Sequence, residues 1–250
     1  MAVVTGASSG LGAQLCLDLI HAGATVVGLA RNAQRLEAMS QAFHALSPAS
    51  HMILCDVADT EHLCATLAGV IEMHGPIDLL INNAAKDPGV RLADITVADF
   101  RNTFDVNFFA PVAATLAVLP SMRARGAGTI VNVSSDGGRL PSPGPGAYPS
   151  SKAALSAFSE STSFRLAPHG IAIHVVYPAF MATDLGLGAL HRGLRRPPRL
   201  TVRRVEAVSR IILARAGESS LEISASRLID VVMVFRYLFP RTYHRNRKHW

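Results

Sequence analysis

The stretch "AVVTGASSGLGAQL", Ala2 to Leu15, decides the fold. A short apolar run meets a glycine-rich turn and then a segment with apolar residues at helical spacing. Glycines at 6, 10 and 12 let a chain turn tightly, come close to a pyrophosphate and pack the next helix against a sheet. A glycine-rich turn alone is weak evidence. Between a buried strand and an amphipathic helix it becomes a dinucleotide-binding signal.

The same alternation continues along the chain. Strands are expected at 2–5, 25–30, 52–55, 77–81, 128–134, 171–176 and 221–224, with helical segments between them. Leu11, Leu15 and Leu19 make a packed stripe that ends at a glycine cap, Gly23. The strands read as continuous apolar runs, which is how strands buried on both faces read. The expected fold is α/β: a Rossmann-like doubly wound parallel sheet of about seven strands with helices on both faces. At 250 residues one domain over 1–250 is the simplest division.

Charge is unevenly placed. Residues 1–190 hold 10 Lys/Arg against 14 Asp/Glu, whereas residues 191–250 hold 14 against 4. The basic pI belongs to the C-terminal quarter, which argues for a local basic surface and against a nucleic-acid-coated protein. Cys16, Cys55 and Cys64 show neither metal-ligand spacing nor an even disulfide framework, so free thiols in a reducing compartment and no metal are expected. No secretory signal is visible, and no apolar run was expected to reach the roughly 18 residues of a membrane span. A cytoplasmic protein is the expectation. The chain starts abruptly at its first strand, as though a few preceding residues were missing.

The second expected strand, within "TVVGLARNAQRL", ends at Ala30 and Arg31, where NAD-binding sheets usually carry an acid for the ribose hydroxyls. An acid would repel a 2′-phosphate and a guanidinium can pair with it, so NADP(H) is favoured over NAD(H). The alternative is that Arg31 and Arg35 only solvate the next helix. In "CDVAD", Asp56 could accept from the adenine amino group, with Val57 beside it, and Asp59 reads as a helix cap.

"AYPSSKAAL", 147–155, sets Tyr148 four residues ahead of Lys152, on one helix face. Reducing a carbonyl needs a hydride on carbon and a proton on oxygen. A phenol titrating near 10 is a poor donor or acceptor at neutral pH, and a nearby ammonium lowers that value. The spacing alone also fits an ordinary helix opening with Pro149 in its first turn.

Taken in order, "TGASSGLG", "CDV", "NNAA", "DVN", "NVSS", "YPSSK" and "YPAFMAT" resemble the short-chain dehydrogenase/reductase family, from Val3 to about Thr183. The resemblance implies Tyr148 as acid/base, with Lys152 lowering its pKa and orienting the nicotinamide ribose. Ser135, thirteen positions before Tyr148, would hold the substrate oxygen, leaving Ser134 as a backbone partner. Asn107 would kink a helix and support a water leading to the lysine. It further implies a cofactor cradle of Thr5, Gly6, Ser8, Ser9, Gly10, Leu11 and Gly12. Asn83 would stabilise the central strand, Asn82 and Ala84 would lie beside the adenosine ribose, and Pro178 and Thr183 would meet the nicotinamide. Two residues depart from the family pattern. Ala85 and Ala179 stand where glycine is usual, and a methyl at each is tolerated if the local φ is negative.

The motifs end at Thr183. Residues 183–204 are expected to form a flexible substrate flap carrying Arg192, Arg195, Arg196, Arg199, Arg203 and Arg204, either solvated or steering an acidic substrate. The tail, 225–250, has an apolar run from Leu228 to Phe239 followed by Arg241, Arg245, Arg247 and Lys248. It could wall the substrate pocket or meet a second subunit, ranked first, or make peripheral contact with an anionic membrane, ranked second. A hydrophobic alcohol or carbonyl substrate (steroid, retinoid, acyl or other lipid-like) is favoured, and the family makes a homo-oligomer the default. The rival reading is a catalytically silent NADP-binding scaffold that uses its basic tail for a membrane or protein partner.

Overall fold

The computed structural model describes residues 1–141, 144–191 and 197–246. Seven parallel strands form the main sheet: β1 (Ala2–Thr5), β2 (Val26–Ala30), β3 (His51–Leu54), β4 (Leu79–Asn82), β5 (Gly128–Val133), β6 (Ile171–Tyr177) and, last in the chain, β9 (Glu222–Ser224). Their order is β3-β2-β1-β4-β5-β6-β9. The winding reverses between β1 and β4, the switch point at which ligands bind in sheets of this kind. β7 (Phe180–Met181) and β8 (Val202–Arg203) pair separately beyond the end of β6.

Connecting helices cover both faces: α1 (Gly10–His21), α2 (Ala33–Leu46), α3 (Thr60–His74), α4 (Val97–Phe104), α5 (Ala110–Arg125), α6 (Asp136–Arg139), α7 (Ala147–Leu166), α8 (Asp184–His191), α9 (Val205–Arg215), α10 (Arg227–Leu238) and α11 (Pro240–Asn246). Successive strand residues point to opposite faces, and in the central strands both faces are buried, while β3 at the edge leaves His51 and Leu54 exposed. Val3, Leu29, Leu80 and Ile130 face Leu63, Leu67 and Val70 of α3 and Ala114, Val118 and Met122 of α5. Val4, Val26, Ile81 and Val131 face Leu11, Leu15 and Leu19 of α1 and Val208 and Ile212 of α9. Truncating a fully buried leucine such as Leu15 to alanine should cost about 3 kcal/mol.

The segment Val97–Arg125 is one continuous helix, with a π-helical turn, Asp105–Phe109, joining α4 to α5. Its 29 residues have a mean hydropathy of 1.3 in their most apolar window, long and apolar enough to cross a membrane. That departs from the expectation that no run reaches this length. Val106, Ala110, Ala114, Val118 and Met122 lie in the core, so the apolar character is accounted for by packing against the sheet.

Residues 183–191 and 197–204 differ from the loop expected there. α8 and the 3₁₀ turn at Arg199–Thr201 shape them, and β8 pairs with β7. Arg203 donates from Nε to the carbonyl of Ala225 at 2.9 Å, so it holds backbone together and is not a loose surface charge. Arg199 and Arg204 are exposed; Arg192, Arg195 and Arg196 lie outside the described residues, as do Arg247 and Lys248 of the tail.

Candidate active site

The glycine-rich turn and the "CDV", "NNAA", "NVSS" and "YPAFMAT" segments sit at the C-terminal edge of the sheet because each lies at or just past the end of a parallel strand. The turn after β1 is built for close approach. Gly6 and Gly10 have φ of 67° and 54°, in the region that favours glycine. A Cβ on Gly12 would stand 2.3 Å from the Gly6 carbonyl oxygen and 2.4 Å from Asn83 Nδ2. Asn83 explains that crowding: its Nδ2 donates to the Thr5 carbonyl at 3.0 Å, and its backbone N–H donates to Thr5 Oγ1. Thr5 and Asn83 thus lock β1 to β4 beneath the turn.

Ser9 precedes α1 without capping it through its side chain, so the first N–H groups of the helix keep their capacity for an anion. Ser9 is exposed and Ser8 half-buried beside it, and Leu11 points into the core. Across the turn, Thr183 Cγ2 lies 3.1 Å from where a Gly10 Cβ would be, bringing the end of the Pro178–Thr183 segment over the cradle. Arg31 follows β2, exposed, with no hydrogen bond or ion pair among the described residues. Arg35 pairs with Asp184 at 2.7 Å instead. Asp56 is exposed, its Oδ1 accepting from the Ala58 N–H, while Val57 is buried; Asp59 caps α3 by accepting from the His62 N–H. The empty helix cap, the glycine approach and the unengaged Arg31 fit a phosphate-bearing dinucleotide.

Asn82 departs from its expected place by the ribose. Its amide donates to Asn132 Oδ1 at 2.8 Å, and Asn132 donates to Ser159 Oγ at 2.7 Å, forming a buried chain from β4 through β5 to α7. A polar side chain on that strand is consumed inside the fold. Ala84 is partly exposed after β4, its N–H donating to Thr5 Oγ1.

The second half of the site is carried by α7 and the end of β5. Ser135 follows β5 and caps α6; its Oγ accepts from the Gly137 N–H at 3.0 Å. That leaves the hydroxyl proton for another acceptor. The Ser135 hydroxyl lies on the same side of Gly137 as the Tyr148 ring and pulls the pKa of its phenol down. Ser134, next to it, donates to the Lys152 backbone carbonyl at 3.0 Å, a backbone partner as expected. Lys152 is 1% exposed, and its Nζ donates to the Val133 carbonyl at 2.7 Å. An ammonium has three donors, and the described residues take one, leaving two for a diol.

Electrostatics correct one expectation. Burial pushes the Tyr148 phenol up to about 12, against the downward pull of Ser135, and the negative charges of Asp87 and Asp136 push the same way. Burial also pushes the Lys152 amine down to about 7. The lysine was expected to lower the phenol's pKa, but loss of water dominates at both groups. Tyr148 therefore stands as a protonated phenol at neutral pH, a donor.

Asn107 sits in the π turn, fully buried. Its Oδ1 accepts from the Lys86 N–H, and its Nδ2 donates to the Lys86 carbonyl and to Ser151 Oγ, at 2.8, 2.8 and 2.9 Å. Both amide protons are used, so the side chain braces the strand-end loop against α7, and a water partner would have to be met by other atoms.

At Ala179 the condition set for a tolerated methyl is not met. Its φ is 64°, positive, where its methyl group is strained; Ala85 has no such strain. The fold demands a left-handed residue directly after Pro178 and receives an alanine.

Sequence reasoning passed over Asp136 and Arg139. Arg139 is nearly buried and touches Asp136, Ser224, Asp230 and the Tyr177 ring. A charged pair three residues apart immediately after the "NVSS" strand end was the signal available.

Residues 1–189 match the family model for short chain dehydrogenase. "Dehydrogenase/reductase SDR family member 7B" of Xenopus laevis is 31% identical over 250 residues, covering 95% of this chain and 77% of the relative. A solved short-chain dehydrogenase from Streptomyces avermitilis superposes with a TM-score of 0.82 at 28% identity, covering 96% of this chain and 93% of that one. A metagenomic short-chain oxidoreductase, solved in complex with NADP, superposes with a TM-score of 0.74 at 28% identity, over 90% and 94% of the two chains. With this fold and these relatives, the chain belongs to the short-chain dehydrogenase/reductase family, oxidoreductases whose fold binds a nicotinamide cofactor.

Proposed function

We propose that this protein is an NADP(H)-dependent oxidoreductase that interconverts an alcohol and its carbonyl, with a hydrophobic substrate. The observation that carries the reading is the Ser135 hydroxyl set beside Tyr148, whose pKa it lowers, with the buried Lys152 one helical turn on. The bound cofactor supplies or accepts the hydride. In the reductive direction Tyr148 gives its proton to the carbonyl oxygen as charge develops there. Ser135, its Oγ already accepting from Gly137, donates to the same oxygen and holds it at the phenol. Lys152 keeps two donors for the ribose diol and supplies positive charge near the phenolate that remains. Asn107 holds the strand-end loop against α7, and Thr183 meets the carboxamide side.

NADP over NAD is supported by Arg31, which no acid accompanies between Val26 and Gln34. The metagenomic relative solved with NADP supports it too. The three free cysteines support a cytoplasmic, reducing setting. Exposed Phe109, Leu116 and Phe164 on α5, its preceding turn and α7 support a homo-oligomer. The test is NADPH oxidation across a panel of steroid, retinoid, acyl and small-ketone carbonyls, beside direct NADPH and NADH titrations. Turnover of an apolar carbonyl with NADPH supports the reading. Tight cofactor binding with no turnover of any carbonyl replaces it with the silent scaffold.

A second reading concerns the tail. α10 buries no residue fully, and Leu228, Val231, Phe235 and Leu238, at spacings of three and four, lie exposed on one stripe. Arg241 and Arg245 follow in α11. That favours peripheral contact with an anionic bilayer over a pocket wall. Val231→Asp together with Phe235→Asp should release the protein from anionic vesicles; retention equal to wild type contradicts it.

A further inference from the structure

Asp136, Arg139 and Asp230 have no part in the chemistry above, yet the fold joins them beside Ser135. Arg139 ends α6, one turn beyond Ser135. Its Nε and Nη2 donate to Asp136 Oδ1 at 3.0 and 2.8 Å. Nη2 also reaches Ser224 Oγ at 2.8 Å and Asp230 Oδ1 at 2.9 Å. Ser224 Oγ donates in turn to Asp230 Oδ1 at 2.7 Å. The guanidinium carbon lies 4.0 Å from the centre of the Tyr177 ring. From α10, Arg236 Nη1 donates to the Arg139 backbone carbonyl. α10 thus grips α6 twice, through Asp230 and through Arg236.

The cluster is costly to build. The Arg139 side chain is 10% exposed and Asp136 15%, and buried charges are held only by close partners. Asp136 Oδ2 is buried with no hydrogen bond among the described residues, although the Ala179 N–H exerts a weak pull on the carboxyl. Burial raises the Asp136 pKa against the attraction of Arg139. A buried carboxylate oxygen without a partner loses the water it had in the unfolded chain and gains nothing in return. Such an arrangement, one residue from Ser135, is too expensive for surface decoration.

We infer that Asp136, Arg139 and Asp230 form a positioning clamp through which α10 fixes the turn carrying Ser135, and with it the approach of the Ser135 hydroxyl to Tyr148. No residue of α10 need touch the reacting atoms. The turn itself is short, held by Gly138 N–H to the Ser135 carbonyl and Leu140 N–H to the Asp136 carbonyl, at 2.9 and 2.7 Å. With so few internal bonds it depends on its outer contacts for order. This inference rests on the role given to Ser135 under Proposed function.

Asp230 is 41% exposed, so Asp230→Ala should fold. The test compares it with Asp230→Asn, whose amide oxygen can still accept from Ser224 and Arg139. Hydrogen–deuterium exchange of the Gly137, Gly138 and Leu140 amides should be about 10-fold faster in Asp230→Ala and near wild type in Asp230→Asn. NADPH affinity should stay within about 2-fold, because the cradle lies on other strands, while kcat falls about 10-fold. Unchanged exchange at these amides overturns the clamp. So does a loss of kcat matched by an equal loss of NADPH affinity, the mark of a general destabilisation. If wild type turns over no carbonyl, the proposed function falls, and the exchange comparison alone still decides whether α10 holds the turn.

Discussion

Replacing Lys152 with methionine should make the isolated protein more stable while abolishing turnover. Lys152 is 1% exposed, bonds only to the Val133 carbonyl among the described residues, and makes no ion pair there. Burial brings its amine from 10.5 down to about 7. By proton linkage, holding this amine at pH 7 costs roughly 4 kcal/mol. Methionine has similar length and adapts to the space, but leaves the Val133 carbonyl without its donor, a loss of about 1–2 kcal/mol. The net gain is about 2–3 kcal/mol. The folded value lies below the unfolded one, so between pH 7 and 10.5 the unfolded chain binds more protons and wild-type stability rises with pH. The limiting slope is about 1.4 kcal/mol per pH unit. Urea melts of both proteins from pH 6 to 9 should show the variant's advantage full near pH 6–7 and shrinking above. A variant less stable than wild type at neutral pH, or a gap that does not change with pH, refutes the reasoning.

Ala179→Gly should raise stability by about 1 kcal/mol, since glycine tolerates the φ of 64° that strains alanine, and Tm by roughly 2–4 °C; a lower melting temperature in calorimetry contradicts it. Arg31→Ala should weaken NADPH binding about 10- to 100-fold by removing a charge-assisted bond to the 2′-phosphate, and leave NADH binding nearly unchanged in fluorescence titrations. Equal losses for both cofactors would assign Arg31 to general structure. His174 uses both ring nitrogens, Nδ1 on the Ser220 carbonyl and Nε2 accepting from the Gly217 N–H, so it is held neutral and its pKa is lowered, by burial first. Its contribution is present in full above the unfolded value of 6.5 and lost as pH falls toward the folded one. Melts between pH 5 and 7 should show a shallower acid loss in His174→Gln than in wild type; parallel curves would count against this.

The main sheet was legible because its central strands are buried on both faces, leaving runs such as "TVVGLA" and "IAIHVV" with no polar residue on a solvent side. The glycine turn was legible because only glycine fits where Gly12 meets the Gly6 carbonyl. Spacing alone put Tyr148 and Lys152 on one face, but the balance of their pKa values depends on burial, which no i, i+4 rule contains. Asn82 was misread because "NNAA" was taken as one stretch beside the cofactor, whereas a strand alternates and sends the Asn82 side chain inward to Asn132. The sign of φ at Ala179 was illegible from an alanine. The Arg139 cluster joins residues from 136 to 236 through side-chain directions that only the folded chain sets. The two-residue β7–β8 pair is too short to leave a periodic signal.

The central claim is that the Tyr148 phenol delivers the proton. Tyr148→Phe keeps the ring and its packing and removes only the phenol hydroxyl, whose pKa Ser135 lowers. With a carbonyl that wild type reduces, the variant should lose turnover by at least about 1000-fold while binding NADPH as wild type does. Appreciable reduction by that variant would contradict the account.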